Sequence, residues 1–281
     1  MFLDILWEAV LDTLKTVPFL FLAYLLMEWL EHRAEEKSVE TVDKAGGWAP
    51  VAGGVLGMIP QCGFSAAVSN LFASGVITRG TLLAVFLSTS DEMLPILISR
   101  KAEIGLILKI LGYKCVVGIA VGLLIDLIGK KLAKPGREKS IEAICEQEGC
   151  NCEDGVVKSA VFHTLKITLF LFVTSFLVGL AVEAVGIENL EHFILNKPFL
   201  GELLAGLVGL IPNCAASVVL TDLFLKGGMS FGAMMSGLLS ASGVGLLVLF
   251  RMNRNLKENL QILLLLYVSG LIFGCLAGAI F

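Results

Sequence analysis

The chain contains one unit twice. Offset by 152 residues, Gly54–Ser90 aligns with Gly206–Ser242, and about 13 of roughly 37 positions are identical. Pro60-Gln61-Cys62 falls on Pro212-Asn213-Cys214, Ser65 on Ser217, Asn70 on Asp222, Gly75 on Gly227 and Gly80 on Gly232. Ser88 and Ser90 fall on Ser240 and Ser242. Upstream, at nearly the same offset, Thr13-Leu14-Lys15 and Phe19-Leu20-Phe21 recur as Thr164-Leu165-Lys166 and Phe170-Leu171-Phe172. Solenoid units are far shorter than this. In a membrane protein, a duplicated half with interrupted apolar segments points to a transporter, with its site where the halves meet.

The medium is a bilayer. Hydrophobic residues make up 56% and charged residues only 16%, against about 25% charged in a soluble domain. The runs Leu14–Trp29, Gly80–Ile98, Ile104–Ile128, Phe162–Val185, Phe231–Phe250 and Leu260–Phe281 approach the roughly 20 residues that cross a bilayer. They lack the polar face that a soluble helix needs. Asp4 and Glu8 stand where a signal peptide is basic, so Met1–Lys15 reads as an amphipathic lead-in.

The loops then set orientation. Lys130, Lys131, Lys134, Arg137 and Lys139 fill the central loop; Arg33, Lys37 and Lys44 follow the first span; Arg251, Arg254 and Lys257 separate the last two. The positive-inside rule places all three in the cytoplasm, with Arg100 and Lys101 as exceptions. That requires an odd number of crossings per half, hence a repeat of inverted topology with both termini outside. The expected fold is an all-α polytopic membrane protein. Residues 1–128 form the first repeat, 129–157 a cytoplasmic Cys/acidic linker and 158–281 the second repeat.

Between the first two spans of each half lies an apolar stretch too interrupted for one helix. The arms are Ala49–Ile59 and Phe64–Ala73 about Pro60, and Leu200–Ile211 and Ala216–Leu225 about Pro212. Each is about 16 Å of helix, near half a bilayer. Proline removes a donor, and the freed backbone groups must face protein or a wet cavity. Three long helices and one broken, re-entrant-like hairpin per half give ten helical pieces. A proline kink between packed helices is the plainer reading, but it has to occur twice in register.

Pro60-Gln61-Cys62-Gly63-Phe64-Ser65 and Ser88-Thr89-Ser90-Asp91-Glu92-Met93-Leu94-Pro95 resemble the signature stretches of the ten-helix heavy-metal exporters, permeases described variously as arsenic efflux proteins and manganese transporters. The resemblance covers essentially the whole chain. It implies efflux of a metal or metalloid ion across the cytoplasmic membrane of a prokaryote. Many family members have His- and Cys-rich central loops; this one has cysteines and no histidine.

Asp91 and Glu92 lie near mid-span, where a carboxylate costs at least about 2.5 kcal/mol and needs a partner. A structural ion pair with Lys109 or Lys114 competes with an ion-binding role. Gln61, Cys62, Asn213 and Cys214 occupy the hairpin tips, and Asn70 and Asp222 lie on the second arms. Asp222 in a solvated mouth is the alternative for that residue. Ser65, Ser217, Ser88, Ser90, Ser240 and Ser242 offer hydroxyls, which also serve helix packing. The oxygen-rich set suits Mn²⁺, whereas Cys62 and Cys214 add a character that suits Zn²⁺ or trivalent arsenic. Cys145, Cys150 and Cys152 beside Glu146, Glu148, Glu153 and Asp154 read either as metal capture or as a solvated linker. Cys115 and Cys275 read as packing, and Gly118-x-x-x-Gly122 and Gly270-x-x-x-Gly274 as close helix contacts.

No nucleotide loop, hydrolase elbow or HExxH motif is present. The expectation is a secondary-active exporter, not an enzyme, with no cofactor beyond a bound transported ion. Its partners are the lipid bilayer and a small inorganic ion, with no nucleic acid; homo-oligomerisation is left open. Arsenite efflux, a passive channel and an intramembrane acid pair of Asp91 with Asp222 are the rivals.

Overall fold

The computed structural model describes residues 48–59, 62–90, 93–132, 156–185, 199–212 and 214–281, with scattered helical positions between 6 and 25. Among these residues there is no strand. The first half holds α1 (Ala49–Gly57), α2 (Cys62–Ala73), α3 (Arg79–Ser88), α4 (Met93–Ser99) and α5 (Ile104–Leu132). Then come α6 (Val156–Val185), α7 (Leu200–Gly209), α8 (Cys214–Leu225), α9 (Phe231–Ser240), α10 (Gly245–Met252) and α11 (Leu256–Ile280). Shifted by 152 residues, α2 and α3 coincide end for end with α8 and α9, and α4 and α5 start where α10 and α11 start. The chain is therefore an all-α protein whose internal repeat extends to helix boundaries.

Local chemistry explains those shared boundaries. Thr78 and Ser230 cap α3 and α9, their hydroxyls accepting from the amides of Thr81 and Ala233. Gly75 and Gly227 sit at φ +83° and +75°, the left-handed conformation that glycine reaches without strain. The amides just past α2 and α8 turn back to the carbonyls of Phe72 and Leu71 in one half and Phe224 and Leu223 in the other.

One expectation is corrected. Gly80–Ile98 and Phe231–Phe250 are not continuous helices. The first stops at Ser88 and resumes at Met93, and the second stops at Ser240 and resumes at Gly245. Pro95 explains the first break. It is tolerated within the opening turn of α4, where its missing N–H has no helical partner to lose. Gly243, at φ +55°, explains the second. Among the described residues, each half thus carries its middle span as two helices rather than one.

Within each half the middle span lies against its hairpin's first arm and the last helix: α3 against α1 and α5, and α9 against α7 and α11. Glycine allows the backbones to touch. A Cβ at Gly118 would come within 2.6 Å of the Ala84 carbonyl, and one at Gly274 within 2.5 Å of the Ser236 Cα. Between halves the second arms are exchanged, α2 packing on α10 and α8 on α4. The largest core cluster joins both halves, with Leu82, Phe86 and Leu87 of α3 beside Met234, Met235 and Leu239 of α9.

The ends of the helices sort onto two faces. Arg79 at the start of α3 bridges Glu258 at the start of α11 at 2.8 Å, and Glu258 also accepts from Asn253 after α10. Asp126 near the end of α5 accepts from the Gly80 amide at the same face. At the other face the Phe281 ring, following α11, meets Tyr113 of α5 and Phe231 at the start of α9. The stretches Arg79–Ser99, Ile104–Gly129, Phe231–Met252 and Leu256–Ile280 are long and apolar enough to cross a bilayer. Much of α5 and α11 faces outward with exposed leucine and isoleucine, as lipid contact requires.

Candidate site at two helix breaks

Each hairpin tip is held against the break of its own half. A Cβ at Gly57 would lie 2.0 Å from Ser88 Oγ, and the Ser90 hydroxyl donates to the Met58 carbonyl at 2.7 Å. In the second half a Cβ at Gly209 would lie 2.1 Å from the Gly237 carbonyl oxygen. Residues that pin tip to break are thus glycines and small hydroxyls, which leave room for backbone contact.

The second break also meets the first half. A Cβ at Gly245 would come within 2.9 Å of both the Phe86 ring and Ser65 Cβ. Ser69 Oγ is 2.8 Å from the Gly245 carbonyl. From α5, the ammonium of Lys114 donates to the Leu238 carbonyl in the last turn of α9. That side chain is 1% exposed. The last carbonyls of a helix have no amide ahead of them and carry the negative end of its dipole. A buried cation at a helix C-terminus is therefore electrostatically matched. The breaks supply two such endings, α3 and α9, beside two new N-terminal turns.

The side chains expected at the site divide as follows. Ser65 and Ser217 are buried on α2 and α8. Ser88 and Ser240 are buried and return their hydroxyls to carbonyls four residues back. Ser242 is buried at the second break, its Oγ without a partner. Asn70 is fully buried on α2, with neither amide atom hydrogen-bonded. Its aligned residue, Asp222, is elsewhere in character. It is 22% exposed and pairs with Arg100 at 2.6 Å and Lys226 at 2.7 Å. Lys109 is exposed, its ammonium 5.2 Å from the Phe281 ring centroid, well away from Lys114 in direction. Cys62 and Cys214 open α2 and α8. Gln61, Asp91, Glu92, Asn213 and the loop thiols Cys145, Cys150 and Cys152 lie outside the described residues. Cys115 and Cys275 are free and half-buried. Among the described residues no three His, Cys, Asp or Glu side chains converge.

Sequence reasoning overlooked several polar groups here. Ser69 and its counterpart Thr221 each bond back one turn, and Ser69 also links α2 to α10. Their alignment was a readable signal. Thr168 and Arg251 carry buried, unpartnered atoms, and Arg251 lies within α10, one residue past the span that hydropathy delimits.

A model of the family described as "Putative, 10TM heavy-metal exporter" matches residues 2–187, from the N-terminal segment through α6. No curated protein and no solved structure matches the chain.

Proposed function

The chain belongs to the family of 10TM heavy-metal exporters, and on that premise we propose that it is a secondary-active carrier that moves a Mn²⁺-like divalent cation out of a prokaryotic cell by alternating access. The observation that carries this is the pair of aligned helix breaks, the second of which packs on Phe86 and Ser65 of the first half. Half-helix C-termini and unwound carbonyls hold cations in secondary transporters. Lys114 on the Leu238 carbonyl supports a cation position there. The carboxylates of Asp91 and Glu92, in the interval between α3 and α4, supply the charge, and the amides and thiols of Gln61, Cys62, Asn213 and Cys214 supply further ligands. Carboxylate and carbonyl oxygen favour Mn²⁺ over soft ions.

The inverted relation of the halves is part of this reading. The starts of α3 and α11 share one face through Arg79 and Glu258, whereas the start of α9 shares the other with the end of α11 through Phe231 and Phe281. Equivalent helices running in opposite directions support it. The face with Arg79, Arg254 and Lys257 is then cytoplasmic.

The test is efflux and counterflow of Mn²⁺ in proteoliposomes. Asp91→Asn should abolish transport in a folded protein. Cys62→Ser with Cys214→Ser should spare a Mn²⁺ carrier and disable an arsenite carrier. Conduction without counterflow would indicate a channel, and full transport by Asp91→Asn would show the acidic residue to be structural.

A further inference from the structure

The buried side-chain polar atoms without a hydrogen-bond partner, among the described residues, fall on the segments that build the second apolar cluster. They are Nδ2 and Oδ1 of Asn70, Oγ1 of Thr168, Oγ of Ser242 and Nε of Arg251. Asn70 is on α2, Thr168 on α6, Arg251 on α10, and Ser242 just before α10. These helices build the second apolar cluster together with Leu20 of the N-terminal helical positions: Ala66 and Ala73 come from α2, Ile167 and Leu171 from α6, Val248 and Met252 from α10, and Val244 from just before it. Asn70 is four residues after Ala66 and three before Ala73, so it shares their stripe. Thr168 adjoins Ile167. The Arg251 guanidinium lies 4.4 Å over the ring of Phe170, which packs on the same cluster.

Chemistry makes this arrangement informative. A primary amide has two donors and an acceptor, and burying all of them unpaired is expensive. An apolar leucine would fill the same seam without that cost. Four side chains with unpaired buried polar atoms on the segments of one seam are therefore matched to something polar that occupies it, and small polar spaces in proteins hold water. Direction adds to this. α2 and α10 both run from the tip and break toward the face where Asn253, Glu258 and Arg79 join. Ser242 stands at the inner end of the seam and Arg251 at the outer end.

The symmetry-related seam is different. Between α4 and α8 the position aligned with Asn70 is Asp222, and it is tied to Arg100 and Lys226. No unpartnered buried side-chain atom is found there among the described residues. One seam carries unmet polar groups and its twin is latched by ion pairs.

We infer that the α2–α6–α10 seam is a hydrated access route along which a small inorganic ion passes between the Arg79–Glu258 face and the helix breaks. The inference rests on the transport reading above, and its test is separable from it. The full chain, carrying Asn70→Cys or Thr168→Cys, is reconstituted in liposomes and exposed on either side to a membrane-impermeant methanethiosulfonate. Labelled sites are identified by peptide mass. Both positions should be modified from the side of Arg254, whereas Leu169→Cys, which is 64% exposed on the lipid side of α6, should stay unmodified. Absence of label at both positions, while Arg254→Cys reacts from the same side, would overturn the route. Asn70→Leu gives a second reading. On a dry seam it should melt higher and move Mn²⁺ at the wild-type rate, which also overturns the route. On a wet one it keeps or raises the melting temperature while Mn²⁺ efflux falls about tenfold. Labelling at both positions in a chain that moves no metal would retain the route and sink the exporter reading.

Discussion

Gly209→Ala tests whether a hairpin tip is fixed to a helix break by backbone contact. A Cβ at this last residue of α7 would stand 2.1 Å from the Gly237 carbonyl oxygen, 2.9 Å from its carbonyl carbon and 3.1 Å from its Cα. All three are backbone atoms of α9 and cannot rotate aside. Recovering an ordinary separation of about 3.5 Å displaces α7 from α9 by more than about 1 Å. Overpacking of this kind costs about 1–3 kcal/mol. At about 3 °C per kcal/mol that lowers the melting temperature by about 3–9 °C. The strain falls at Leu210–Pro212, so Mn²⁺ transport should drop as well. Gly105→Ala is the control: nothing lies within 4 Å of its Cβ, and α5 should gain up to about 1 kcal/mol in helix propensity. Thermal unfolding in detergent reads both variants. A Gly209→Ala protein that melts at or above wild type would refute the described approach of α7 to α9.

Asp222→Asn should change stability by less than about 1 kcal/mol, because Arg100 and Lys226 are more than half exposed. Transport should survive it, and a dead variant with normal expression would return Asp222 to the ion site. Replacing Cys145, Cys150 and Cys152 by Ser leaves transport unchanged if they only link the halves. If they capture substrate, the rate at low Mn²⁺ falls while the maximal rate persists, and loss of the maximal rate contradicts both versions. Impermeant labelling of cysteines placed at the two ends of the chain should modify both from outside; finding the ends on opposite sides would refute the inverted arrangement.

Much of the scaffold was legible because it is written twice. The offset of 152 residues anticipated equivalent arms at Phe64–Ala73 and Ala216–Leu225, which are the helices Cys62–Ala73 and Cys214–Leu225, and the aligned Gly75 and Gly227 adopt the same left-handed turn. The paired G-x-x-x-G spacings correctly pointed to tight contacts of α5 and α11. The helix endings at Ser88 and Ser240 were not legible, because hydropathy does not register backbone dihedrals. Gly243 looks like any small residue of an apolar run until its φ is known. Pro95 stands in the opening turn of a new helix, a place that apolar patterning does not mark. Nor did the sequence separate Lys109 from Lys114. Five residues along a helix rotate a side chain by about 140°, which sends one ammonium toward Phe281 and the other into the core. Which way each points depends on the neighbours of α5, and those come from both halves.

The exchange of second arms has a consequence for how the chain is made. Ser69 waits for Gly245, 176 residues later in synthesis. At about 5–20 residues per second that interval is about 9–35 s. Throughout it, α2 has emerged without α10, and its Ser65, Ser69 and Asn70 have no seam to enter. The first repeat cannot be completed by its own residues, so its membrane insertion stays provisional until nearly the whole second repeat has left the ribosome. A ribosome stalled in the second repeat would leave a polar half-hairpin in or beside the bilayer, a natural substrate for membrane quality control.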